Sequence, residues 1–203
     1  MRTERGFDRL VNFGDAVVAI AITLLVLPLV ELHDEVHDQG AVDILRAHRF
    51  EVMAFALSFV VIGRLWIAHH RLFESATGYD DALLWLQMAW LLTIAFIPFP
   101  TQLLGASENG RAEAGLYIAA LTASSACLTV MHHHIARSPA LRRADDPELD
   151  QRAWVTTALF ALAFGLAMAI PGLGCWALLS LIADRPIEVL LRRRDAARNR
   201  AAG

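Results

Sequence analysis

The sequence predicts an all-α integral membrane protein: one domain over residues 1–203, with six transmembrane helices per chain. Three observations predict it. Hydrophobic residues make up 56% of the chain and charged ones only 19%, too little polar surface to cover a soluble domain of this size. The apolar residues fall in runs close to the roughly 20 that carry a helix across a bilayer. The basic residues, all 18 of them arginine, gather on alternate connections.

The first apolar run, 12–30, follows the charged head RLVNFGD. The second, 51–69, contains MAFALSFVVIGRLWIA, and the third, 82–104, contains LLWLQMAWLLTIAFIPF. A fourth covers 114–135, and the fifth and sixth, 154–170 and 173–191, are joined by a tight Pro171-Gly172 turn. Asp184, Arg185 and Pro186 interrupt the sixth and Arg192, Arg193 and Arg194 close it, so it is expected to cross in a shorter stretch and finish along the interface. The polar stretches 31–48 and 136–152 are loop-sized, and no internal repeat or separate soluble domain is evident. The first run starts behind a polar motif and lacks a small-residue cleavage site, unlike a signal peptide.

Orientation follows from the arginines. With the N-terminus inside, Arg2, Arg5, Arg9, Arg71, Arg137, Arg142, Arg143, Arg152 and the five arginines from Arg192 onward are cytoplasmic. Arg46, Arg49 and Arg111 fall outside, where Glu31, Asp34, Glu35, Asp38 and Asp43 make the first loop acidic. The expectation is a multi-pass protein with both termini in the cytoplasm.

The first span carries two kinds of face. On an ideal helix Arg9, Phe13, Ile20, Leu24 and Leu27 form one narrow stripe, and Asp15 lies roughly 140° away with Val18 and Ile22. A carboxylate near hydrocarbon normally turns into the protein and finds partners. Arg64, His69, His70 and Gln87 are the candidates; a plain helix cap at headgroup depth is the other reading of Asp15. The aliphatic stripe fits helix packing, lipid contact, or rings around a symmetry axis that narrow a path by dewetting. Beside such a constriction the Thr23 hydroxyl would replace part of an ion's hydration shell.

Other features carry less. Cys127 and Cys175 lie in apolar runs and read as buried thiols. His132, His133 and His134 point about 100° apart on a helix, which suits an interfacial or pH-sensitive surface better than one metal. His33 and His37 stand beside Asp34 and Asp38, where an acidic mouth that concentrates cations accounts for them as well as a metal does. His69-His70 lacks the H-E-x-x-H pattern of a metalloenzyme. Trp66, Trp85, Trp90 and Trp154 fit interface belts or bundle packing. Neither an enzyme, a resident metal or cofactor, nor a nucleic-acid partner is expected; the terminal arginines suit anionic lipid.

RLVNFGD resembles the R-x-x-x-F-S-D signature of the transmembrane protein 175 family, the lysosomal potassium channel family, and AVVAIAITLLVL is similar to that family's first helix. SFVVIGRLWIAHHRLF (58–73) and FIPFPT (96–101) resemble its second- and third-span blocks, in the right order and spacing. The second half of the chain matches only in hydropathy. The resemblance implies a potassium-preferring cation channel of the bacterial plasma membrane, a homotetramer passing potassium and other monovalent cations along four first helices. It implies a constriction at Ile20, further pore-facing aliphatics at Leu24 and Leu27, and a pore-facing threonine at Thr23. Arg9, Phe13, Asp15, Trp66, His69, His70 and Gln87 would then anchor the pore helix to its own bundle. Two positions depart from the family pattern: Gly14 replaces the usual serine, and Gln87 stands where asparagine is common. The competing functions are a proton-coupled secondary transporter using intramembrane Asp and His, and a membrane-embedded metal-dependent enzyme. The missing repeat argues against the first, and histidine count alone supports the second.

Overall fold

In the computed structural model, residues 4–31, 40–106 and 111–142 are described, and the predicted fifth and sixth spans lie outside them. The elements are α1 (Glu4–Leu24), α2 (Leu27–Glu31), α3 (Ala41–Ala47), α4 (Arg49–Glu74), α5 (Asp81–Phe96), α6 (Pro98–Ala106) and α7 (Arg111–Arg137). Four helical stretches among the described residues are long and apolar enough to cross a membrane: Arg5–Glu31, Arg49–Glu74, Asp81–Ala106 and Ala112–Arg137. They correspond to the first four predicted spans, each running a little past its apolar run into polar ends.

Two of these stretches are not continuous helices, as their apolar runs had implied. Proline is the cause both times, because it has no amide to offer the carbonyl four residues back. Pro28 interrupts the first: the amides of Leu25 and Val26 tighten onto the carbonyls of Ile22 and Thr23 at 3.3 and 3.2 Å, and α2 begins after this turn. Pro98 interrupts the third: Ile97 bonds the carbonyl of Ile94 at 3.2 Å, and α6 starts with the proline at its first position.

The core lies where α5 meets α7. Leu83, Trp90 and Ile94 from α5 and Tyr117, Ile118, Leu121, Met131 and Ile135 from α7 are all fully buried. α5 is apolar nearly all round, as befits a helix packed on several sides. α1 packs on α5 and α4, and α6 fills the angle between α4 and α7. There the buried Ser58 hydroxyl donates to the Tyr117 hydroxyl at 3.0 Å and meets the Thr101 hydroxyl at 2.9 Å, joining three helices through polar atoms.

One end of the bundle collects the start of α1, the end of α4, the start of α5 and the end of α7. Asp80 sits in extended backbone and caps α5, accepting from the Leu83 amide at 2.8 Å. Burial alone would raise its carboxyl, but the Leu83 amide and the His134 ring outweigh that and hold it below the usual carboxylate value. The connection after α4 pairs with the one after α7, the Thr77 amide donating to the Leu141 carbonyl at 2.8 Å.

Replacing Ser58 with alanine takes the shared hydroxyl from between three helices. The expected cost is about 1 kcal/mol, the scale of interhelical hydrogen bonds in membrane proteins. Thermal unfolding of the purified variant in detergent checks it; an unchanged midpoint would mean the three hydroxyls do not hold the helices together.

Candidate functional site

The site is built on the two faces of α1. On the inner face Leu10, Gly14, Val18, Ala21 and Leu25 are buried against the bundle. This set repeats every three or four residues, the spacing that keeps one side of a helix turned inward. Asp15 borders this face, half-buried, and its Oδ1 accepts a hydrogen bond from the Trp66 indole at 2.8 Å. The Trp66 ring stacks on His70 with centroids 5.4 Å apart, and the exposed His70 continues to Glu74 at 3.4 Å.

A second polar contact lies beneath Gly14. Nε2 of the buried His69 and Oε1 of Gln87 are 2.7 Å apart, and with the amide oxygen as acceptor His69 carries its proton on Nε2. The imidazole is parallel to the Trp90 ring, 3° off and 4.1 Å away, and the Phe73 ring, tilted by 30°, lies 4.4 Å from it. A Cβ on residue 14 would stand 2.6 Å from Nε2 of Gln87, so the longer amide occupies the space a side chain there would need. That nitrogen is fully buried and meets no hydrogen-bond partner among the described residues.

The structure therefore brings Asp15 to Trp66 and His69 to Gln87, with His70 stacked at the edge. Arg9 and Phe13 lie apart from these bonds: both are exposed, Phe13 by 53%. Arg64 is exposed on α4. Trp90, read from sequence as belt or packing, is the flat surface on which His69 rests, and its place three residues after Gln87 on α5 was the available signal. Asp80 was missed; the signal was an acid directly before an apolar run.

The outer face of α1 carries the aliphatic stripe. Ile20 is 60% exposed, Leu24 44% and Leu27 48%, with Thr23 exposed among them and its hydroxyl donating to the Ile20 carbonyl at 2.8 Å. Leu27 lies beyond the Pro28 break, on α2 rather than on the same helix as Ile20. Among the described residues no group of three or more His, Cys, Asp or Glu is placed to hold a metal ion, and His33 and His37 lie outside them.

Gly14 and Gln87 are expected to behave as one unit. Gly14→Ser should displace the Gln87 amide from His69 and cost about 1–2 kcal/mol. Gln87→Asn, one methylene shorter, should leave a gap over Gly14. The double variant Gly14→Ser/Gln87→Asn should recover about 1 kcal/mol relative to the sum of the two. A double-mutant cycle on thermal stability measures this, and strict additivity would refute the pairing.

Comparison with known proteins identifies the family. Residues 9–98 match the family described as endosomal/lysosomal potassium channel TMEM175. A potassium channel of Chamaesiphon minutus is 34% identical over 148 residues, covering 70% of this chain and 73% of that one. A potassium channel of Streptomyces collinus is 31% identical over 159 residues, 76% and 75% of the two chains. The crystal structure of a lysosomal potassium-selective channel TMEM175 homolog from Chamaesiphon minutus superposes with a TM-score of 0.75 at 29% identity, covering 93% of this chain and 98% of that one. With its apolar spans and these relatives, the chain belongs to the TMEM175 family of membrane ion channels.

Proposed function

We propose that this protein is a potassium-preferring cation channel of the bacterial plasma membrane, a homotetramer with the ion path along four copies of α1 and both termini in the cytoplasm. Rings of Ile20, Leu24 and Leu27 form its hydrophobic constriction, with the Thr23 hydroxyls beside them. Asp15, Trp66, His69, His70 and Gln87 hold the helix to its own bundle, with Arg9 and Phe13 of the same motif on its exposed side.

The observation that carries this reading is the break before Pro28. Among the described residues no amide donates to the Leu24 carbonyl, and the Leu29 amide bonds Val26 instead of Leu25. A carbonyl without a donor costs several kcal/mol in hydrocarbon, so broken backbone at membrane depth is tolerated where it is buried in protein or faces water. Leu24 is exposed on the same stripe as Ile20. Water and cations in an ion path would satisfy that carbonyl, whereas a face turned to lipid would leave it to neighbouring helices or local backbone adjustment. The relatives' description as potassium channels supports the ion, and the arginine distribution supports the orientation.

In liposomes the wild type should pass potassium down its gradient, and Ile20→Asn, which wets the constriction, should raise the flux several-fold. If neither conducts, the channel reading is wrong. Flux that saturates and requires a pH gradient would favour the proton-coupled transporter instead.

A further inference from the structure

At the end of the bundle where α1 begins, one carboxylate ties two helices together. Asp80 Oδ1 accepts from the Leu83 amide at 2.8 Å, and its two oxygens lie 3.0 and 2.8 Å from Nε2 of His134 in the last turns of α7. Neither side chain is sealed off: His134 is 27% exposed and Asp80 45%. Both ends of the contact are therefore open to solvent.

The next residue back reaches the candidate pore helix. The Tyr79 ring stacks on Phe7 with centroids 6.4 Å apart, and Phe7 in turn stacks on Phe73 at 5.8 Å. The Tyr79 hydroxyl lies over Gly6, where a Cβ would come within 2.7 Å of it. What fixes Asp80 thus fixes the ring that packs on the first turns of α1.

Charge on His134 strengthens this arrangement twice. An imidazolium meets the Asp80 carboxylate directly, and it lies at the carbonyl end of α7, where a cation is favoured. Histidine is the side chain that changes charge between about pH 5 and 8. The other ionisable groups at this end are His133 and Arg137 on α7, Arg71 and Glu74 on α4, Asp81 on α5, Arg142, and Arg5 and Asp8 on α1. Asp80 is ion-paired with none of these among the described residues; His134 is the ionisable group that meets it, beside the Leu83 amide that caps α5 whatever the pH.

We propose that the His134–Asp80 contact is a proton-sensitive latch: it holds the first turns of α1 through Tyr79 when His134 is charged and slackens when His134 is neutral. The latch closes at low pH on its own side of the membrane and loosens as pH rises. Its effect on conduction rests on the channel reading; its effect on α1 does not.

The test is amide hydrogen exchange on the full chain in lipid vesicles, corrected for intrinsic exchange, together with potassium flux from the same vesicles. From about pH 5.5 to 8.5 the protection of residues 4–10 should fall about two- to fivefold, as expected for a partly exposed charged contact at a helix end. His134→Gln, which keeps a donor but no charge, should be flat at the high-pH value. His134→Arg, always charged, should be flat at the low-pH value. A wild type without the slope, or either variant retaining it, overturns the latch. The slope in exchange with no flux from any form supports the latch and overturns the channel reading; flux that follows the same slope supports both.

Discussion

The hydrogen bond from the Trp66 indole to the Asp15 carboxylate fixes which way the first helix faces. A carboxylate beside a long apolar run is costly against lipid, and α1 turns Asp15 toward α4, where Trp66 bonds it. Turning one side of a helix inward turns the other outward by necessity. Once Asp15 is bonded and Gly14, Val18, Ala21 and Leu25 are packed, Ile20, Thr23 and Leu24 have no choice but to be exposed. The stripe is a consequence of the anchor as much as of its own hydrophobicity.

The rest of the bundle is arranged so that this anchor holds still. His69 lies between Trp90 and Phe73, and Trp90 is itself buried in the layer where α5 meets α7. A polar group at this depth is costly unless bonded, and the Trp90 ring stacked on the imidazole, with the tilted Phe73 ring beside it, packs His69 where it meets Gln87. Farther along, the hydroxyls of Ser58, Thr101 and Tyr117 join α4, α6 and α7 without charge. Among the described residues, two polar clusters in the interior each join α4 to other helices.

Much of this was legible in the sequence, and the unread parts have physical reasons. Run length and arginine placement predict the first four spans because crossing a bilayer imposes a length and a charge bias on any sequence. The opposed faces of α1 follow from helical period alone. The proline breaks were hidden because hydropathy counts Pro28 and Pro98 as ordinary residues inside an apolar run, although each removes an amide. The His69–Gln87 contact was not foreseen: both residues stood only as candidate partners of Asp15 and in the wider cluster that the resemblance implies, since no spacing rule links residues on different helices. Arg9 and Phe13 show the converse: membership of a motif does not put a side chain among its bonds, and the helix turns both away from Asp15.

Gly14 and Gln87 carry this point furthest. In sequence they are two departures from the family pattern, one a loss of a side chain and the other a gain of a methylene. In space they are one contact, the amide end of Gln87 lying where a Cβ on residue 14 would be. The space open over Gly14 on α1 is occupied from α5 by an amide that also reaches His69. Close packing makes such paired exchange far less costly than either change alone. The amide nitrogen itself meets no hydrogen-bond partner among the described residues. The anchor is therefore defined by the space enclosed between α1, α4 and α5, and the motif letters are one way of filling it.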